Sequence, residues 1–198
     1  AVSAFAGSAD FASAWSTSKG ANVTVAVVDT GHLPHPDLQG QVLLGYDFVS
    51  PDLNGAFTAA GDGDGRDADP TDPGDFCTSS GANSSWHGMR VAGVIAALTG
   101  NGYSIAGAAP DAKILHVRAL GRCGGFLSDV MEAALWAGGL TVPNLPANPT
   151  PARVINMSLG ATAGTACGAY EQQALRLLKA KGVVVVAAAG NDGQNAMG

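Results

Sequence analysis

The sequence predicts an α/β fold: a largely parallel sheet with helices on both faces, a three-layer α/β/α arrangement. Three observations carry the prediction. Apolar runs too continuous for a half-solvated strand recur along the chain, in "VTVAVVD", "AKILHVRAL", "ARVINMSLG" and "VVVVAAAGN". Strands buried on both faces read this way, whereas a one-sided sheet alternates apolar with polar. Helix-patterned segments separate these runs, and alternation of strand and helix builds a parallel sheet. The 198 residues, 46% of them hydrophobic, suffice for one domain with its own core.

The elements follow in order. Val23–Asp29 is β-branched and reads as a buried strand. Gly61–Asp75, "GDGDGRDADPTDPGD", is too rich in Gly, Pro and Asp for regular structure. In His87–Leu98, Val91, Val94, Ile95 and Leu98 recur at i, i+3, i+4 and i+7, the core-facing stripe of an amphipathic helix. After the strand "AKILHVRAL", "LSDVMEAALWAG" reads as a helix with Ser128 or Asp129 as N-cap. "PNLPANPTP" is a Pro-rich connector inside the domain rather than a boundary. After "ARVINMSLG", "YEQQALRLLKAKG" is a helix with basic residues near its end and Gly182 just past it. "VVVVAAAGN" closes the series.

Composition narrows the function. A net charge of −6, with only 13% charged residues, argues against nucleic acid or an anionic membrane as partner. No apolar run approaches the ~20 residues needed to span a bilayer. The opening "AVSAFAGSAD" lacks the basic segment and apolar core of a signal peptide. The three cysteines, Cys77, Cys123 and Cys167, form no CxxC pair, which argues against a zinc ribbon, and one thiol is left over from any internal pairing.

In parallel sheets functional residues gather at the carboxyl ends of strands. Asp29, Asn156 and Asn191 lie at or near such ends, and His87 opens a helix. An acid, a histidine and amides on one edge point to acyl-transfer chemistry. Each alone has a plainer reading. Asp29 also fits a turn, or the nucleophile of a phosphate-transfer enzyme. His87 also fits a polar residue at a helix start, and Asn191 a cap. His32, His35 and His116 read as structural or surface residues.

Taken together, "VAVVDTG" with downstream "HPDL", then "HGMRVAG", then "INMSLG" followed by "VVVAAAGN" resemble the subtilisin-like serine peptidases. Order and spacing agree from Asn22 to the end. The resemblance implies a subtilisin-like fold and a triad in which Asp29 is the acid and His87 the general base. It implies Asn191 as side-chain donor of the oxyanion hole. It places Ser158, Leu159 and Gly160 along the pocket for the residue before the scissile bond, and Gly124 and Gly125 on the edge that pairs with extended polypeptide substrate. Two residues depart from the pattern: Met89 and Arg90 stand where the family usually has Thr and His. The motif carrying the family's nucleophilic serine does not occur up to Gly198, and Ser158 aligns with the pocket wall. The expectation is therefore the N-terminal portion of a peptidase domain, residues 1–198, completed by a serine-bearing C-terminal segment. The alternative is an inactive homologue acting as a calcium-stabilised binding module.

The acidic loop adds a metal expectation. Asp62, Asp64, Asp67 and Asp69 alternate with glycine and other residues in a pattern resembling part of a calcium loop, with Asp72 and Asp75 following. The family commonly binds Ca2+ near here. The expected ligands are Asp47, Asp62, Asp64, Asp67, Asp69 and Asp72. Secreted members carry a bridge of the kind Cys77–Cys123 would make. That leaves Cys167 to bond a cysteine of the completing segment, with "NDGQNAMG" as an exposed loop open to cleavage. The expected location is secreted, extracellular or periplasmic.

Overall fold

The computed structural model describes residues 10–160, 166–191 and 193. After a short helix α1 (Phe11–Ala14) come strand β1 (Thr24–Asp29), strand β2 (Val42–Asp47), helix α2 (His87–Ala96), strand β3 (Lys113–Arg118) and helix α3 (Leu127–Ala137). Strand β4 (Val154–Met157), helix α4 (Ala169–Ala180) and strand β5 (Val184–Ala187) complete the order. The five strands form one sheet in the order β2-β3-β1-β4-β5, and every pairing is parallel.

Successive residues of a strand point to opposite faces, so a strand covered on both sides must be apolar at both parities. Val25, Val27 and Ile114 face one layer and pack with Ala92 and Ala96 of α2. Ala26, Val28, Leu115 and Val117 face the other, where Val130, Ala133 and Ala134 of α3 and Leu178 of α4 complete the core. This is the expected α/β/α arrangement, with β1 at the centre.

Several local expectations change. β2 carries no clear apolar pattern: Leu44 is 84% exposed, and the register against β3 shifts between Leu43 and Tyr46. The helix at His87 buries Gly88, Ala92 and Ala96 most fully; of the expected stripe, Val91 and Ile95 pack half-buried on the core, while Val94 is 64% exposed. Small residues win that face because the helix lies close against the sheet. α3 is capped by neither Ser128 nor Asp129; its N-cap is Phe126, without a side-chain bond. Asp129 is buried instead, accepting from Ser50 N at 2.9 Å and Oγ at 2.8 Å and pairing with Arg66 at 2.6 Å. The end of α4 is as expected. Gly182, at φ +78°, donates to Lys179 O while Val183 N reaches back to Leu178 O, each at 3.0 Å. On β5 the alternate residues Val184 and Val186 are exposed. The loop "NDGQNAMG" lies outside the described residues except for Asn191 and Gly193.

Candidate active site

Asp29 ends the central strand and is fully buried. Its backbone carbonyl accepts from Ala119 N at 2.8 Å and Leu120 N at 3.2 Å, which fixes the strand end against the segment leaving β3. Its Oδ1 accepts from Thr30 N at 2.8 Å, and both carboxylate oxygens lie 2.9 Å from Nδ1 of His87. Burial raises the carboxyl of Asp29 above its ordinary range, while the bonds from His87 and Thr30 oppose the shift. With Nδ1–H donating to Asp29, a neutral His87 keeps the lone pair on Nε2. The His87 side chain is 43% exposed, so that lone pair belongs to an accessible ring.

The imidazole reaches Asp29 because its helix starts almost on top of the strand end. A Cβ on Gly88 would lie 2.5 Å from Gly31 O and 3.3 Å from Asp29 Cβ, so only glycine admits this approach. Gly31 has φ +107°, and a side chain there would meet Pro70 O at 2.5 Å. Gly88 N donates to Thr30 Oγ1 at 3.1 Å, and that hydroxyl donates to Asp72 Oδ2 at 2.7 Å.

The segments named for substrate flank this pair. β1 lies between β3 and β4, so Gly124–Gly125 and Ser158–Gly160 leave the sheet on opposite sides of Asp29. Gly124 and Gly125 are exposed. Ser158 Oγ bonds Asn156 Nδ2 at 2.8 Å, not His87, and Leu159 packs on the core. Asn191 follows β5 and is exposed. Met89 and Arg90 lie along a separate cavity of about 380 Å3 with Trp86, Val94 and Ile105. Among the described residues Arg90 makes no ion pair, so it is not bonded to the Asp29–His87 pair.

The expected calcium ligands separate. Asp47 is buried and paired with Arg118, and it accepts from Val49 N at 2.7 Å. Burial lifts its carboxyl to about 7, against the pull of Arg118. Asp72 is buried and committed to Thr30 and to Gly74 N at 2.8 Å. Both carboxylates are thus bonded to protein donors in this structure. Asp62, Asp64, Asp67 and Asp69 line one cavity of about 190 Å3 with Thr71 and Pro73. Of these, Asp62 also pairs with Arg118, and Asp69 accepts from Thr71 Oγ1 at 2.6 Å. Among the described residues no three His, Cys, Asp or Glu side chains gather closely enough to hold a metal ion. Asp75 bonds Ser85 N and Oγ, both at 2.6 Å.

Sequence reasoning missed Thr30 and Arg118. Arg118 had a visible signal, because an arginine within an otherwise apolar strand must find carboxylates. Cys77 and Cys123 are bridged, with Cα atoms 4.8 Å apart, and Cys167 is exposed outside the bridge. No helix among the described residues is long and apolar enough to cross a membrane.

Comparison with known proteins follows this geometry. Residues 20–198 match the Subtilase family. The chain is 46% identical over 192 residues to the "Extracellular protease" of Xanthomonas campestris pv. campestris, covering 93% of this chain and 32% of that protein. It is 39% identical over 184 residues to "Thermitase" of Thermoactinomyces vulgaris, covering 92% of this chain and 52% of that one. A solved protease structure from Pseudoalteromonas arctica superposes with a TM-score of 0.88 at 46% identity, covering 96% of this chain and 56% of that one. The fold is thus subtilisin-like, and the chain spans about a third to a half of the length of the two curated relatives.

Proposed function

Because the chain belongs to the subtilase family, we propose that it is the N-terminal portion of the catalytic domain of a secreted serine endopeptidase. The observation that carries this reading is the buried carboxylate of Asp29 at 2.9 Å from Nδ1 of an accessible His87, at the carboxyl edge of a parallel sheet. Asp29 holds the ring in the Nδ1–H tautomer and stabilises the imidazolium when it forms. His87 Nε2 takes the proton of a serine hydroxyl as its oxygen attacks the substrate carbonyl. It then returns that proton to the leaving amine. Water repeats the sequence on the acyl-enzyme. Asn191 donates to the developing oxyanion. Gly124–Gly125 and Ser158–Gly160 hold the extended substrate between them.

The serine comes from a further segment in this reading. The exposed Val184 and Val186 of β5 support a covering partner, since apolar strand residues are ordinarily covered. Cys167, exposed and outside the Cys77–Cys123 bridge, is assigned a disulfide to that segment. Secretion agrees with the internal bridge and with a relative named as extracellular. Calcium belongs to the same reading with a reduced ligand set. Asp62, Asp64, Asp67 and Asp69, which line one cavity, would have to draw together from their present spacing to hold it, and the ion would supply charge that relieves their mutual repulsion.

The alternative, a binding module without catalysis, draws on one observation: among the described residues the only hydrogen-bond partner of the His87 ring is Asp29. A serine-directed fluorophosphonate probe on the secreted protein separates the two. Labelling and peptide hydrolysis that fall sharply in Asp29→Asn, hydrolysis by about 10⁴-fold, uphold the peptidase. Neither labelling nor hydrolysis in the native protein overturns it. One electrophoretic band without reductant and two with it tests the Cys167 bridge.

A further inference from the structure

The helix that carries His87 lacks a cap of its own. Its N-cap residue is Trp86, held in the left-handed region at φ 52°, and no side chain of that residue bonds the first turn. The first backbone N–H groups of a helix have no partner within it, and they are ordinarily capped by a side chain immediately upstream. Here Gly88 N finds its acceptor 58 residues away, in the hydroxyl of Thr30 at 3.1 Å. Thr30 is the residue after Asp29. One dipeptide therefore binds the imidazole through Asp29 and caps the imidazole's helix through Thr30.

A hydroxyl has one proton, and where that proton points decides where its lone pairs face. Thr30 gives its proton to Asp72 Oδ2 at 2.7 Å, which turns a lone pair toward Gly88 N. Asp72 is itself held. Its second oxygen accepts from Gly74 N at 2.8 Å, and its backbone N–H donates to His32 O at 2.9 Å. The buried negative charge also sits near the positive end of the helix dipole.

We propose that Thr30 and Asp72 are positioning residues for His87, the Thr30 hydroxyl capping the base's helix in an orientation set by the Asp72 carboxylate. This rests on the reading of His87 as the general base. It gives the end of the acidic loop a role distinct from metal binding. A lost cap lets the first turn fray, and a sub-ångström displacement of the ring is enough to weaken proton transfer.

The test uses three variants, Thr30→Val, Thr30→Ser and Asp72→Asn, with the double variant Thr30→Val/Asp72→Asn. Nitrogen-15 NMR of labelled histidine reads the His87 tautomer directly, whether or not the protein hydrolyses peptides. The native protein and Thr30→Ser are expected in the Nδ1–H form. Thr30→Val is expected to become a mixture with the Nε2–H form. Where hydrolysis is measurable, kcat falls about tenfold in Thr30→Val with KM within about twofold, the size of one lost hydrogen bond. Thr30→Ser stays within about threefold of native. Asp72→Asn lowers kcat several-fold and adds nothing to Thr30→Val, because it acts through the same hydroxyl. A Thr30→Val protein with a lowered melting temperature but the native tautomer overturns the proposal. So does a Thr30→Ser protein as impaired as Thr30→Val, or a double variant whose losses multiply. Absence of hydrolysis in the native protein counts against the peptidase reading alone, and the tautomer then decides.

Discussion

His116 places an acid-sensitive group in the middle of the sheet. It is fully buried on β3, stacked on His32 with ring centroids 5.1 Å apart, and neither ring nitrogen has a hydrogen-bond partner. Burial, and secondarily the neighbouring His32, lower its pKa from 6.5 to about 3. The folded state therefore disfavours the imidazolium, whereas the unfolded chain binds the proton from about pH 6.5 downward. Stability from this group is complete above that pH and is lost as pH falls toward 3. At about pH 4.5 the unfolded side chain is two units below its pKa and the folded one is still neutral, so the loss is about 3 kcal/mol. For a chain of this size that corresponds to about 5–11 °C in melting temperature. The perturbation is His116→Leu, which removes the titrating ring and its two orphaned nitrogens while keeping an apolar side chain. The assay is thermal unfolding of both proteins near pH 7.5 and near pH 4.5. The carboxylates titrate in both proteins, so the comparison isolates one proton. His116→Leu is expected to be no less stable near pH 7.5 and to lose several degrees less on acidification. Curves that fall in parallel would refute the reasoning, because the folded state would then accept the proton on His116 as readily as the unfolded one.

Three further outcomes follow from other parts of the structure. Gly88→Ala forces a methyl group to within 2.5 Å of Gly31 O, so α2 must lift from the strand end; both melting temperature and peptide hydrolysis are expected to drop, the latter at least tenfold. Reduction of Cys77–Cys123, which closes a loop with a sequence separation of 46, is expected to cost up to about 4 kcal/mol, measured as urea unfolding with and without reductant. Calcium in excess over chelator is expected to raise the melting temperature of the native protein, and Asp67→Asn/Asp69→Asn to abolish the rise; an unchanged melting temperature in saturating calcium would remove the metal from the reading.

Much of the fold was legible because it is written in short-range pattern. The both-parity apolar run of Val25–Val28 announced a strand covered on two faces, and Gly182 marked the end of α4 from the need for a left-handed residue. Asp29 and His87 were legible as a pair because each lies in a motif of a few residues. Strand β2 was not, since an edge strand with Leu44 in solvent has no pattern to show. The face of α2 was read only in part: Val91 and Ile95 pack on the core, but Val94 does not, because apolar size was taken for burial. Gly88, Ala92 and Ala96 are buried because contact with the sheet leaves no room for larger side chains, and that contact belongs to the packing of two elements.

The sequence by itself determined the alternation of helices with strands β1, β3, β4 and β5, the parallel sheet, and the Asp29–His87 pair of the candidate site. These depend on residues close along the chain, where periodicity and turn chemistry act. Only the tertiary structure decided the partners of the acidic loop. Arg118 draws Asp47 and Asp62, and Asp72 reaches Thr30 across 42 residues, because strand register and loop docking bring them together. A buried carboxylate must find a donor, but its sequence does not name which. The choice among guanidinium, hydroxyl and metal ion is made by distance, and distance exists only once the sheet has formed.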